Sequence, residues 1–243
     1  MELKLDFDIS VQPNDTTCGP TCLHALYRYW GDTIELGEVI REVRVIEGGG
    51  TLGVLLGCHA LERGYRATIY AYNVQHFDPT WFGLDRAELR SRLVRQSEFK
   101  PDAKLRYATD AYLEFLDLGG EVRFEDLSSK LFRRYLDEGV PILTGVSSTY
   151  LHRTMREIGP ECTSDDVRGE PCGHFVVLCG YDRFSRRMLV ADPLHPNPIQ
   201  PHPDKKGKPY VVGIDRVIAS IALGILTYDA NLLVLEPNDR APS

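Results

Sequence analysis

A cysteine six residues after a glutamine, at the head of an apolar helical pattern, is the feature of this chain with the clearest chemical content. In QPNDTTCGPTCLHALYRYWG, residues 12–31, Cys18 is followed by Gly19 and Pro20. Proline is best tolerated in the first turn of a helix, where its missing N–H removes no intrahelical bond. Cys22, Leu23, Leu26, Tyr29 and Trp30 then recur at three- and four-residue steps, the spacing of a buried helical face, and Gly31 supplies the stop. Cys18 therefore falls at the positive end of a buried helix, where the dipole and free backbone N–H groups favour a thiolate. Cys22, one turn on, lies within the apolar stripe and reads as core.

A thiolate does hydrolytic work only with a base beside it, a group that orients the base, and donors for the oxyanion. Among the seven histidines, His174 in CGHFVVLCGYD stands between a glycine and an apolar strand, at a rigid strand mouth. His24 lies on another side of the nucleophile's own helix. His59, His76, His152, His195 and His202 have helical or loop contexts without such framing and read as partly exposed structural histidines. Asp192 closes the next strand, in MLVADP, and Tyr181 to Arg187 reads as a hairpin between the two. Adjacent antiparallel strands would set the end of one beside the start of the other, so Asp192 is the candidate orienter of His174. Taken alone, Asp192 is also an ordinary Asp-Pro turn. Gln12, in fixed relation to Cys18, is the candidate oxyanion donor together with the Cys18 backbone N–H.

Zinc is the competing chemistry, because Cys162, Cys172, His174 and Cys179 crowd one region. Their spacings do not match the paired ligands of common structural zinc sites, and Cys179 sits in an apolar strand, so no metal and no cofactor is expected. A Cys162–Cys172 disulfide belongs to an oxidising setting only.

The elements that must position these groups follow from periodicity and breakers. Leu3 to Phe7 alternates like a strand. Thr33 to Val45 reads as an amphipathic helix, broken at Glu47 to Gly50. Thr51 is placed to cap a third helix that runs through Leu61 and ends at Gly64. Arg66 to Tyr72 is a strand, residues 73–83 a loop, and Asp85 to Glu98, Leu105 to Leu118 and Glu125 to Asp137 are helices, with a brief strand starting at Val122. The pattern then turns to short β-runs, Val140 to Val146, Phe175 to Tyr181 and Met188 to Ala191. A Pro- and His-rich loop covers 193–209, Ile214 to Leu226 reads as a helix, Leu232 to Leu235 as a last strand, and the tail PNDRAPS as frayed. Helices first and strands later predict an α+β fold with a helical half, about 12–138, and an antiparallel sheet half, about 139–236, in a single domain over 1–243. The short stretch near 99–105 is the best linker candidate.

Composition narrows the function. At 243 residues, 43% hydrophobic and 26% charged, the chain can bury an ordinary globular core. A net charge of -7 argues against a nucleic-acid surface, and the basic cluster Lys205, Lys206 and Lys208 reads as a solvated loop. No apolar run approaches the roughly 20 residues of a membrane span. The N-terminus lacks a basic region followed by an apolar core, so no signal peptide is expected, and the six cysteines are expected to be free thiols in the cytoplasm.

Gln12, TCGPTCLHAL from Thr17, GHFVVLCGYD from Gly173 and VADP from Val190 together resemble the papain-like cysteine peptidases that remove double-glycine leader peptides from bacteriocins. The chain is most similar to their stand-alone, transporter-free relatives, and GGTLGVLLGCHALERGYRATIY from Gly49 fits that family's third helix and following strand. The resemblance runs from about Gln12 to Leu235. It implies a papain-like fold with a cleft between two subdomains, a peptide substrate, and the roles of nucleophile, base, orienter and oxyanion donor for Cys18, His174, Asp192 and Gln12. Two departures stand out. Thr17 replaces the acid that many relatives carry before the nucleophile, and the connection from Ser147 to Cys172 is long enough to form a flap over the cleft. A papain-like acyl transferase and a catalytically silent peptide-binding module on the same fold remain the alternative readings.

Overall fold

The computed structural model describes residues 3–46, 49–81, 83–159, 161–200, 207, 209–227 and 229–238. His202, the basic cluster at Lys205, Lys206 and Lys208, and the tail from Asp239 lie outside the described residues. Leu3–Lys4 forms β1, and Cys18–Tyr29, Leu36–Glu42 and Gly53–Glu62 form α1, α2 and α3. Tyr65–Ala71 is β2, Arg86–Phe99 and Ala103–Asp117 are α4 and α5, Glu121–Arg123 is β3, and Ser129–Asp137 is α6. Ile142–Ser147 is β4, Ser148–His152 is α7, and Glu157–Ile158 and Thr163–Ser164 are the small hairpin β5–β6. Gly173–Asp182, Arg187–Ala191 and Tyr210–Gly213 are β7, β8 and β9, followed by α8 (Ile214–Ala222) and β10 (Asn231–Pro237).

The main sheet runs β3-β2-β10-β4-β7-β8-β9, with β1 also paired to β7. Its pairings are antiparallel except β2 with β3. This is the α+β, mostly antiparallel architecture that the element order predicted. Side chains alternate between the faces of a strand, and every residue of β7 from His174 to Tyr181 is buried, so this strand is covered on both faces. Leu23, Tyr70, Phe115, Phe132, Leu178 and Leu233, drawn from helices and strands of both halves, share the same buried apolar cluster.

Several expected boundaries move, each for a local reason. The predicted helix over Thr33 to Val45 contracts to α2, because the Asp32 carboxylate accepts from Ile34 N at 3.0 Å and holds that turn outside the helix. The helix then begins at a capping box between Glu35 and Glu38. Thr51 does not cap α3; its hydroxyl donates to Arg44 O at 2.8 Å and Leu52 holds the cap position. α6 starts at Ser129 rather than Glu125, where Ser128 Oγ accepts from Leu131 N. The expected helix to Leu226 ends at Ala222 and tightens into a 3₁₀ turn over Leu223–Thr227. β1 is shorter than predicted, although Leu5, Phe7 and Ile9 remain buried between exposed neighbours.

Gly145 on β4 has no room for a side chain, since a Cβ there would collide with the carbonyl of Asp229. Gly145→Ala is expected to cost about 1–3 kcal/mol by forcing the two backbones apart, read as a lower midpoint in urea denaturation.

Candidate active site

Cys18 is the first residue of α1, and the local sequence leaves the helix end open. Thr17 occupies the cap position without a capping bond. Its hydroxyl instead donates to Asn14 O at 3.0 Å and accepts from Asn14 N at 3.2 Å, which closes a tight turn ahead of the helix. The first bond of the helical ladder is Thr21 N to Thr17 O. Pro20 has no N–H, so the donors left over in the first turn are those of Cys18 and Gly19, and neither has a partner among the described residues. Gly19 is required for close packing, because a Cβ would lie 2.7 Å from the Thr51 methyl and 3.1 Å from the Phe175 ring.

α1 packs against the start of β7, so that Cys18 and His174 line the same cleft and Cys18 is one of the groups that act on the imidazole. His174 Nε2 lies 2.8 Å from Asp192 Oδ1. With Nε2 engaged by the carboxylate, Nδ1 is the ring nitrogen left for the thiol. Burial disfavours a charge on His174, but the neighbouring Asp192 and Cys18 outweigh it and raise its pKa above the ordinary value. Burial likewise opposes the Asp192 charge, yet His174 and His152 hold its carboxyl far below the usual range.

His152 is the residue that sequence reasoning missed. Its Nε2 is 2.9 Å from Asp192 Oδ2, and Tyr210 donates to the same oxygen at 2.8 Å. Leu194 N completes the set, donating to Oδ1 at 2.9 Å. The Asp192 carboxylate is fully sealed from solvent and its charge is matched by two imidazoles and two further donors. His152 comes from α7, inside the 147–172 connection. That connection is not a bare flap: α7 opens it, Glu157 bridges to both Ser164 and Glu170, and none of its described residues lines the cleft at Cys18. Its unusual length was the available signal; Tyr210, in an unmarked strand, gave none.

Gln12 stands at the start of the turn that leads to Cys18. Its backbone N donates to Pro193 O at 2.9 Å, just after Asp192, and its Nε2 donates to Asn14 O at 3.0 Å. It makes no hydrogen bond to Cys18, His174 or Asp192 among the described residues. The cleft beside Cys18 and His174 encloses about 250 Å³ between Asp15, Thr16 and Gly49 to Thr51 on one side and Gly173, Phe175, Thr227 and Asp229 on the other, with Lys104 also on its wall.

The other candidates resolve as structure. Cys22 is sealed in the core and donates to Phe175 O at 3.3 Å, and burial pushes its thiol well above the ordinary value. All six cysteines are free, Cys162 and Cys172 included. Among the described residues no cluster of three or more His, Cys, Asp or Glu side chains is placed to hold a metal. His59 and His76 are buried rather than partly exposed, His59 bonds both Tyr27 and Glu42, and His24 is buried on α1.

A carboxyl group whose folded pKa is depressed stabilises the fold above its unfolded value, about 3.9, and loses that contribution as pH falls. Wild-type stability in urea should therefore drop steeply below about pH 4, and the profile of Asp192→Asn should be flatter there. At pH 7 that variant should be about 3–5 kcal/mol less stable, because His174 loses its buried counter-charge and His152 and Tyr210 lose the carboxylate they bond. Tyr210→Phe, which removes one donor to the charge, should cost about 1.5–3 kcal/mol.

Comparison with known proteins agrees with the sequence resemblance. Residues 103–206 match the family model described as Peptidase_C39 like family, a span that includes His152, His174 and Asp192 but not Cys18 or Gln12. No curated protein matches. Among solved structures, a C39-like peptidase from Bacillus anthracis is 13% identical, with 99% of this chain and 100% of that chain covered and a TM-score of 0.49. A double glycine motif protease from an AMS/PCAT transporter, in complex with its leader peptide, is 12% identical, with 98% and 96% covered and a TM-score of 0.47. The peptidase domain of Streptococcus ComA, a bi-functional ABC transporter involved in quorum sensing, is 11% identical, with 96% and 99% covered and a TM-score of 0.44. The match to the model described as Peptidase_C39 like family thus spans residues 103–206, a little under half of the chain.

Proposed function

We propose that this protein is a cysteine peptidase in which Cys18 is the nucleophile, His174 the base and Asp192 the group that orients it. The observation that carries the reading is that Cys18, at the end of a helix, and His174 line one cleft, with the His174 ring held 2.8 Å from Asp192. The raised His174 pKa favours an imidazolium, and the open end of α1 favours the matching thiolate. The thiolate adds to a peptide carbonyl, and the C–N bond then breaks as His174 gives its proton to the departing amine. Water next attacks the thioester, His174 takes a proton from it, and the C–S bond breaks to release the acid and restore the pair.

The oxyanion of both tetrahedral intermediates is assigned to the Cys18 backbone N–H and to Gln12. The Gln12 amide carries two protons; one is held by Asn14 O, and the second is the donor proposed here. An amine in place of water would turn the same thioester to acyl transfer. The family match supports a peptide as substrate. No described helix is long and apolar enough to cross a membrane, and free thiols suit the reducing cytoplasm, which we propose as the site of action.

Iodoacetamide near neutral pH, with the label mapped by mass spectrometry, tests the assignment. Cys18 should be alkylated fast and selectively, His174→Ala should slow this by roughly tenfold or more, and cleavage products from a peptide library should vanish in Cys18→Ala. Slow, even labelling of all six cysteines together with an uncut library would leave a non-catalytic binding module as the reading.

A further inference from the structure

We propose that Asp229 forms a substrate subsite that takes a cationic side chain, lysine or arginine, from the residue beside the scissile bond. This rests on the peptidase reading of Cys18. Asp229 lines the same cleft as Cys18 and His174. It lies just before β10, separated from it by Ala230, and β10, β4 and β7 are successive strands, so it stands about two strand spacings, roughly 10 Å, from His174. A lysine or arginine side chain leaving a backbone anchored at Cys18 crosses most of that gap, and a charge-assisted hydrogen bond of about 2.8 Å covers the rest.

One carboxylate oxygen is spoken for. Oδ1 accepts from Gly53 N at 2.7 Å, at the start of α3, and from Asn231 Nδ2 at 3.1 Å. Oδ2 has no partner among the described residues, and it is not among the unpartnered atoms sealed from solvent, so it remains open to a ligand. Among the described residues the cleft wall carries the acids Asp15 and Asp229 and the amine Lys104, with the His174 imidazole set beside the Cys18 thiol. Burial has a large effect on this carboxyl. It raises the Asp229 pKa to about 7, against the lowering by Gly53, Asn231 and Lys104. A donor brought by the substrate supplies what the free protein lacks, since burying an unpaired charge is costly and pairing it removes that cost.

The other titratable side chains that face Asp229 are Lys104 and Tyr112 from α5 and His76 across a small internal cavity. Burial raises Tyr112 far above neutrality and lowers His76 to about 4, so neither changes charge near pH 7. Across the cleft, His174 is raised as described.

The test uses two peptidyl chloromethyl ketones that differ only in carrying lysine or norleucine next to the reactive carbon. Each alkylates a thiolate by forming a C–S bond as chloride leaves. On the wild-type protein the lysyl compound should label Cys18 roughly tenfold to a hundredfold faster than the norleucyl one, and Asp229→Asn should bring the ratio close to one. Should that variant not fold, the wild-type ratio serves instead: it should rise between pH 5.5 and 8.5 as Asp229 ionises, while lysine stays charged throughout and the norleucyl rate corrects for Cys18 and His174. Equal rates for the two compounds, or a ratio that ignores pH, would overturn the subsite and leave the peptidase reading intact. Failure of both compounds and of iodoacetamide to label Cys18 would overturn both.

Discussion

The structure around the cleft is organised by one buried negative charge. Asp192 is sealed from water, and a carboxylate in that position persists only if donors surround it. They come from four separate places: His174 on β7, His152 on α7, Tyr210 on β9 and the backbone of Leu194. Meeting that demand fixes much else. β9 must pair on the outer side of β8, and α7 must fold back at once after β4, inside a connection that would otherwise be free to roam. The reward of this arrangement for the chemistry is indirect. Buried Asp192 holds the His174 ring by Nε2 and so leaves Nδ1 as the free ring nitrogen, the one the proposed mechanism uses.

A second buried carboxylate shows the opposite outcome, and the contrast explains the first. Asp229 is also buried, though one edge reaches the cleft, and its bonded partners are neutral, an amide N–H at the start of α3 and the side chain of Asn231. Without a bonded cation, desolvation wins and the group is pushed upward, whereas two imidazoles drive Asp192 down. Asp229 also ties the halves of the chain together, because it supplies to α3 the cap that Thr51 does not. Its backbone runs so close to neighbouring elements that Gly145 on β4 and Gly224 beside it admit no side chain, and the adjoining Asn231 imposes the same on Gly53.

The placement of Cys18 was legible in the sequence because it depends on local rules. A proline in the first turn, an apolar stripe at helical spacing and a terminal glycine define α1 within about a dozen residues, and the structure begins the helix at Cys18 and turns it at Gly31 with φ +84°. The hairpin that sets β7 beside β8 was legible for the same reason: two apolar β-runs with a turn between them have one economical pairing. The helix start at Asp85 follows the same local logic, its side chain accepting from a backbone N–H three residues on, whereas α5 begins at Ala103 under an Asp102 cap, ahead of the expected start at Leu105 and inside the stretch read as a linker.

What the sequence by itself determined, then, is the set of groups whose surroundings are built from their own neighbours: the Cys18 helix, the His174 strand and the Asp192 turn. Tertiary structure alone decided which distant residues complete them. Nothing near His152 marks it as a partner of a residue 40 positions away, and Tyr210 and Asp229 lie in stretches with no motif. The physical reason is that a buried charge is satisfied by whatever donor the fold delivers to it. That delivery is set by strand order and chain path, while spacing along the chain records only what lies within a turn or a hairpin.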